Sequence, residues 1–220
     1  LRQFLARWNY KQANQIWVVH QSLAKGCVNA REQDGTQSGI QNFIPEVALS
    51  IREVPTAYDP TFWKKEGEKN EKGILTVANI SDERTYLRKG IPLFIKLAER
   101  LPEYQFTIVG IQNPSANQRE LPKNIKLVGT LDRVALKKQY SQHQFYVQGS
   151  KVEGLPNVLC EAMLCECIPI GTNVFGIPEA IGSTGYILDA TDNLESLTSF
   201  IIQSLPLSVR SLVLTQSPLF

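Results

Sequence analysis

Short apolar runs alternate with stretches of helical periodicity along most of this chain. Near-continuous apolar runs are typical of strands buried on both faces, and they predict strands at 74–78, 106–109, 125–128, 145–147, 168–170 and 186–188. Apolar residues at helical spacing predict helices at 92–100 and 133–141, from 156, from 178, and at 194–205. Strands that alternate with helices usually build a parallel sheet. The pattern therefore predicts an α/β fold with a doubly wound parallel sheet.

The first sixty residues follow a different pattern. Phe4, Leu5 and Trp8 lie on one face of a predicted amphipathic helix, and we expect that face to pack against a core. Strands are predicted at 16–19 and 50–54, with a helix at 22–29 and a polar loop at 31–39. A charged run at 64–72 predicts a solvated connection. The predicted division is a first unit at 1–60, a linker at 61–72, the sheet domain at 73–205 and a tail at 206–220.

Composition narrows the class of protein. A chain of 220 residues allows one to one and a half domains. The net charge of +2 is too small to indicate a surface for nucleic acid or for an acidic membrane. No apolar run has transmembrane length and no signal peptide opens the chain, so we expect a cytoplasmic protein. The chain begins at Leu1 without a strand that starts a domain, which predicts a fragment of a longer protein.

Several kinds of site are disfavoured. Free thiols rather than zinc ligands are expected, because the paired C-x-x-C spacing is missing among Cys27, Cys160, Cys165 and Cys167. His20 and His143 are far apart in sequence, which excludes a histidine-rich metal site and disfavours a serine–histidine–acid triad. No G-x-G-x-x-G follows the first strand of the sheet domain, and Ile177 replaces the lysine of a P-loop. Without an Asp-x-Asp pair either, we expect neither a metal nor a bound cofactor.

The segment after the strand at 145–147 has the features of an anion site. Gly149, Ser150 and Gly154 loosen the backbone at the carboxyl end of that strand, and Pro156 suits the first turn of the helix that follows. Free N–H groups at the start of a helix attract anions such as phosphate. Ligands of doubly wound sheets bind at this same edge. The sequence therefore predicts a phosphate-binding helix start here.

Two carboxylates accompany that helix start. Glu153 lies in the loop, and Glu161 lies on the helix, about 7 Å along the axis from its first residue. A similar distance separates the ribose hydroxyls from the distal phosphate in a nucleoside diphosphate, and a carboxylate can accept hydrogen bonds from sugar hydroxyls. The alternative interpretation is a pair of solvent-exposed acids, which is the usual state of glutamates.

The whole segment resembles a known family. Its residues run from Glu153-Gly-Leu-Pro-Asn-Val-Leu-Cys-Glu161-Ala-Met through Pro169-Ile-Gly-Thr-Asn to Gly176-Ile-Pro-Glu179. They are similar to the retaining GT-B glycosyltransferases of family 4, whose signature is two glutamates separated by seven residues. The resemblance implies a Rossmann-like C-terminal domain that binds a nucleotide sugar, preceded by the end of the acceptor-side domain and its hinge. It also implies transfer of a sugar from a nucleotide-diphosphate donor to a carbohydrate, lipid or other acceptor, with retention of configuration.

The resemblance assigns roles to individual residues. Glu161 would bind the ribose of the donor and Glu153 the transferred sugar. The donor diphosphate would lie against the start of the helix, formed by Gly154, Leu155, Pro156 and Asn157.

Two further positions match the family near the donor. Lys89, followed by Gly90, matches a lysine–glycine step and would neutralise the leaving diphosphate, so that Lys89 and Glu153 form the catalytic pair. Because both follow carboxyl ends of strands, we expect them to face one cleft from opposite sides. Gly176 and Glu179 open another helix near the donor; plain helix capping is the alternative there.

The chain departs from the family in places. Asn79 stands where the family has an arginine, with Arg84 and Arg88 as alternatives in a predicted polar loop at 79–88. Glu166 replaces a glycine that ends the helix.

Two other functions stay open, a GT-B nucleotide-sugar epimerase and a non-catalytic nucleotide-binding module. The resemblance implies as partners a nucleotide sugar, an acceptor and the remainder of the acceptor domain, and it allows peripheral contact with a membrane. The small net charge argues against nucleic acid as a partner. Since a GT-B site lies between two domains, we expect the isolated chain to be inactive.

Overall fold

The first part of the chain forms a small unit with two strands. The computed structural model describes residues 2–26, 39–111, 121–189 and 194–205. The unit contains α1 (Arg2–Gln12), β1 (Ile16–Val18), α2 (Gln21–Lys25), α3 (Ile40–Phe43), a 3-10 helix (Pro45–Ser50) and β2 (Ile51–Glu53). β1 and β2 pair in parallel. Most of the predicted loop at 31–39 and the end of the predicted helix at 22–29 lie outside the described residues.

The second part alternates strands and helices, as the apolar pattern predicts. Its strands are β3 (Asn70–Ile80), β4 (Gln105–Ile111), β5 (Ile125–Val128), β6 (His143–Gln148), β7 (Ile168–Thr172) and β8 (Tyr186–Leu188). Its helices are α4 (Glu83–Arg88), α5 (Ile91–Arg100), α6 (Arg133–Gln142), α7 (Asn157–Leu164), α8 (Ile177–Ile181) and α9 (Leu194–Gln203). All six strands predicted from apolar runs are confirmed.

These strands form one parallel sheet in the order β5-β4-β3-β6-β7-β8. The order reverses between β3 and β6, because the chain first builds outward to β5 and then returns to build the other half. Loops leave the carboxyl ends of these two strands in opposite directions and open a crevice between them, where doubly wound sheets bind their ligands. The predicted Rossmann-like α/β fold is confirmed.

Helices cover both faces of the sheet. On one face α5 and α9 supply Phe94, Leu97 and Ile201, which are almost completely buried against the strands. On the other face α6, α7 and α8 supply Tyr140, Leu159 and Ile177 to a second core. Each such side chain contributes about 1.5–3 kcal/mol on leaving water. Burial on both faces explains why the strands have continuous apolar runs.

The apolar face of α1 does not pack against a core, so that prediction is wrong. Phe4 is 69% exposed and Trp8 is 56% exposed. The described contacts of the helix come instead from its charged side. Lys11 forms an ion pair with Glu46 at 2.7 Å, and the Arg7 guanidinium lies 5.7 Å from the centre of the Phe43 ring. Helical periodicity identifies an apolar face but does not show what packs against it.

Among the described residues, no helix has the length and apolar character needed to cross a bilayer.

The polar stretch at 79–88 is not a loop throughout, because it contains α4. Asp82 caps this helix by accepting the backbone N–H of Thr85 at 2.7 Å. The helix has few apolar residues, and so periodicity does not reveal it. It ends at Arg88, directly before the predicted lysine–glycine step.

The charged run at 64–72 is bound to the sheet domain rather than solvated throughout. Trp63, just before it, is buried in the second core. Lys69 donates hydrogen bonds to the carbonyl oxygens of Tyr140 at 2.9 Å and His143 at 2.8 Å. The division into a first unit at 1–60, a linker at 61–72 and a domain at 73–205 stays a prediction, and the tail at 206–220 lies outside the described residues.

Glu166 has the left-handed conformation that glycine normally supplies after a helix. Its φ is 60°, directly after the turn that ends α7. Its side chain forms an ion pair with Lys65 at 2.8 Å, and both groups are well exposed. The turn is therefore formed even though glutamate replaces the family's glycine, and Glu166 has a strained backbone conformation in it.

Candidate functional site

The site is built where the segment after α4 meets the loop after β6. Gly90 approaches Gly149 so closely that a Cβ on Gly90 would lie 1.9 Å from the Gly149 carbonyl oxygen. The N–H of Lys151 donates to the Arg88 carbonyl at 2.8 Å. These contacts hold the two loops against each other at the edge of the crevice.

Lys89 and Glu153 form an ion pair across this junction. The Lys89 ammonium donates to Glu153 Oε1, and the side chains are 17% and 13% exposed. The structure therefore brings together the two residues that sequence analysis placed on opposite sides of one cleft. A cation and an anion of this kind can interact with a ligand that carries both negative charge and sugar hydroxyls.

Further donors hold the same oxygen of Glu153. Ser150 Oγ donates to Oε1 at 2.9 Å, and the Gln148 side-chain amide lies 3.4 Å from it. Gln148 also donates to Ser150 Oγ at 2.8 Å and accepts from the Tyr146 hydroxyl at 2.9 Å. No sequence pattern predicts this network. The available signal was Gln148 itself, a polar residue at the carboxyl end of an otherwise apolar strand.

The start of α7 has no side-chain cap. Pro156 is the residue before the first helical position, and no side chain caps the helix, so the first N–H groups have no side-chain acceptor. The helix begins at Asn157, one residue later than predicted. The Asn157 side chain accepts a hydrogen bond from the Tyr58 hydroxyl at 3.0 Å. Gly154 and Leu155 belong to the loop that leads into this helix start, as the sequence places them.

Glu161 lies one helical turn beyond that start and is half-buried. The Tyr140 hydroxyl donates to its Oε2 at 3.3 Å. Burial raises the pKa of Glu161, and the Tyr140 hydrogen bond and the charge of Arg133 oppose this rise. Tyr140 is in turn held by edge-to-face contacts with Trp63 at 5.8 Å and Tyr146 at 5.9 Å between ring centres. Glu161 is thus a half-buried acceptor on a rigid aromatic support.

The first unit contacts the loops that surround this helix start. Glu179 Oε2 lies 2.8 Å from His20 Nε2, and the His20 ring also packs against Gly176. His20 Nδ1 accepts the N–H of Ser22 at 3.2 Å, and therefore Nε2 carries the proton and donates to Glu179. Gly176 donates its N–H to the Gly154 carbonyl at 2.9 Å. His20 was not predicted as part of a site, since 159 positions separate it from Glu179.

The described cysteines are free thiols, as predicted. Cys160 is partly buried and Cys165 and Cys167 are buried, while Cys27 lies outside the described residues. Burial raises the pKa of the Cys167 thiol to about 11. Within the part of the chain that the structure describes, no group of three histidine, cysteine or acidic residues is arranged to hold a metal ion.

Comparison with known proteins gives a family match. Residues 59–206 match the family described as "Glycosyl transferases group 1". In Schizosaccharomyces pombe, the gpi3 subunit of phosphatidylinositol N-acetylglucosaminyltransferase is 27% identical over 161 residues. That alignment covers 68% of this chain and 35% of the yeast protein.

Solved structures share the fold at low sequence identity. The Anabaena protein HepE in complex with UDP has a TM-score of 0.67 and 15% identity, covering 97% of this chain and 61% of HepE. The catalytic domain of starch synthase IV from Arabidopsis thaliana, bound to ADP and acarbose, has a TM-score of 0.67 and 12% identity. There the match covers 94% of this chain and 52% of the synthase domain. The chain spans about a third of the length of the curated relative that it matches, the gpi3 subunit.

Proposed function

The chain belongs to the glycosyl transferases group 1 family, and from this premise we propose that it forms the donor-binding half of a retaining glycosyltransferase. The observation that carries the proposal is the Lys89–Glu153 pair beside the uncapped start of α7. A nucleoside diphosphate sugar carries, in sequence, a ribose, two phosphates and a sugar. Glu161, the helix start with Lys89, and Glu153 supply matching groups in that order.

The diphosphate occupies the start of α7 in this proposal. The free N–H groups of the first turn and the positive end of the helix dipole favour an anion there. Lys89, which pairs with Glu153 in the loop before this helix, adds a positively charged group. When the bond between sugar and diphosphate breaks, negative charge grows on the leaving oxygen, and Lys89 stabilises that charge.

The two glutamates act on different parts of the donor. Glu161 accepts hydrogen bonds from the ribose hydroxyls, which do not change during transfer. Glu153 faces the transferred sugar, where positive charge develops as its bond to the diphosphate breaks, and a carboxylate stabilises that charge. The Gly176 and Glu179 segment, which His20 holds, borders the donor on the side of the first unit.

The remaining parts of the proposal concern the whole protein. In this proposal Lys89 and the helix start take the place of a metal ion at the diphosphate, so we expect transfer to be independent of metal ions and to survive EDTA. The acceptor is a carbohydrate, a lipid or another hydroxyl compound that binds to a second domain. Since both domains complete the site, we expect the 220-residue chain alone to be inactive. We expect the protein to work in the cytoplasm, with peripheral membrane contact if its acceptor is a lipid.

Product analysis tests this function. The complete protein is incubated with sugar-labelled UDP, GDP and ADP donors and a panel of acceptors, with EDTA present. We expect label on an acceptor, with the anomeric configuration of the donor kept in the product. A labelled epimer of the donor indicates an epimerase instead. Binding without any product indicates a nucleotide-binding module, and either result overturns the proposal.

A further inference from the structure

Strand β6 carries two polar side chains that face the same side of the sheet and point toward its carboxyl end. Tyr146 and Gln148 are two residues apart, so they share a face. Their side chains are nearly or completely buried, with Tyr146 at 0% and Gln148 at 3% exposure. Burying polar groups is costly unless each finds a partner. Both do, and the partners lead in one direction, toward Glu153.

The hydrogen bonds form a directed chain. The Tyr146 hydroxyl donates to the side-chain oxygen Oε1 of Gln148, and the side-chain nitrogen Nε2 of Gln148 donates to Ser150 Oγ. Ser150 then donates its single proton to Glu153. The carboxylate determines this direction, because a flipped Gln148 would turn its carbonyl oxygen toward the Glu153 carboxylate and repel it. Burial raises the pKa of Tyr146 well above its usual range, which keeps its hydroxyl a donor.

The donors converge on one oxygen of Glu153. Lys89, Ser150 and Gln148 all contact Oε1. Among the described residues, no hydrogen bond goes to Oε2 of Glu153, and this atom is not fully buried. Oε2 is therefore the oxygen that Glu153 can offer to a ligand. The arrangement fixes both the rotamer of Glu153 and the oxygen that it presents.

We propose that Gln148 is a positioning residue, which with Tyr146 and Ser150 fixes the Glu153 carboxylate so that Oε2 faces the reacting sugar. This inference rests on the proposed function for its catalytic meaning. Gln148 does not touch the donor itself. It acts through Ser150 and Glu153, and its contribution should appear in the transition state, where the position of Glu153 matters.

The test is a kinetic cycle in the complete protein. Gln148→Leu keeps the volume and removes all three contacts of the side chain. We expect kcat to fall about tenfold while donor KM changes less than about twofold, because Glu153 acts on the transition state rather than on donor binding. In a Glu153→Gln background, the same Gln148→Leu change should lower kcat less than about twofold. Equal losses in the two backgrounds, or unchanged kcat for Gln148→Leu, overturn the proposal.

Two further variants separate positioning from general damage. Thr107→Val removes another buried hydrogen bond of the sheet, from Thr107 to His143 at 2.9 Å, without any link to Glu153. It should destabilise the protein yet keep kcat. Tyr146→Phe removes the first donor of the chain and should lower kcat by about threefold. If Thr107→Val lowers kcat as much as Gln148→Leu, the effect is general and the proposal fails.

The two proposals fail in different ways. A wild-type protein that produces no transfer with any donor overturns the proposed function. The positioning role is then judged by crystal structures of the wild type and Gln148→Leu. We expect the Glu153 carboxylate to leave its position in the variant. An unmoved carboxylate shows that Gln148 does not position it.

Discussion

Gly90→Ala adds one methyl group to the loops of the site. We expect this addition to reduce stability and kcat more than a methyl group added anywhere else in these loops. Gly90 has a φ of 72°, in the left-handed region. Any other residue pays a conformational cost there of about 1–2 kcal/mol. A Cβ at this position would also lie 1.9 Å from the Gly149 carbonyl oxygen and 2.4 Å from the carbonyl carbon, so the added methyl group would collide with backbone atoms.

The size of the effect follows from these distances. Ordinary contact begins near 3.4 Å, and the two segments would have to separate by about 1.5 Å. Such a movement strains the hydrogen bond from the Lys151 N–H to the Arg88 carbonyl. Conformational cost, overpacking and a weakened hydrogen bond together predict a loss of about 3–5 kcal/mol of unfolding free energy. The same movement draws Lys89 away from Glu153, and we expect kcat to fall at least tenfold.

Gly67 provides the matched control. Its φ is 77°, and a Cβ there would meet nothing within 4 Å. Gly67→Ala therefore carries the conformational cost alone, and we expect a loss of about 1 kcal/mol with unchanged kcat. Urea unfolding followed by circular dichroism gives both values. If Gly90→Ala loses no more stability than Gly67→Ala, the close contact between the two loops is not present in the protein.

The remaining predictions concern three side chains. Glu166→Gly should raise Tm by about 2–4 °C in a thermal scan, because relief of the left-handed strain outweighs the exposed ion pair with Lys65; a lower Tm contradicts it. Glu161→Gln should raise Tm at neutral pH, since burial raises the pKa of Glu161 and its ionised form opposes folding. That gain should vanish as the pH falls through the raised pKa, and an equal gain at pH 4 refutes the reasoning. His20→Ala should lose about 1–2 kcal/mol in urea, with the cap of α2 and the bond to Glu179 both removed. His20→Asn, which can still cap, should lose less; equal losses contradict this division.

Much of the sheet could be predicted from the sequence because its strands are buried on both faces. Runs such as 74–78 and 145–147 carry no polar alternation, and this marks a covered parallel strand. The meeting of Lys89 and Glu153 could also be predicted, since each residue follows the carboxyl end of a central strand. Topology then brings them together without any local signal that they touch.

Other features depend on contacts that periodicity does not encode. The apolar residues of α1 have helical spacing, yet Phe4 and Trp8 are exposed. Helical spacing identifies the apolar face but does not show whether anything packs against it. His20 meets Glu179 only through the docking of the first unit onto the loops of the sheet domain. The role of Gln148 depends on the direction of a side-chain amide, which needs the neighbouring Ser150 and Glu153 in place. Such pairings arise from the fold and are therefore visible only in it.

Calorimetry of nucleoside diphosphates tests the central claim most directly. UDP, GDP and ADP are titrated into the wild type and Glu161→Gln, with EDTA present throughout. We expect the wild type to bind at least one of them, and Glu161→Gln to bind it about 10–100-fold more weakly, the worth of a lost charged hydrogen bond. A folded wild-type protein that binds none of the three, or a Glu161→Gln variant with undiminished affinity, would contradict the assignment of this crevice to a nucleotide sugar.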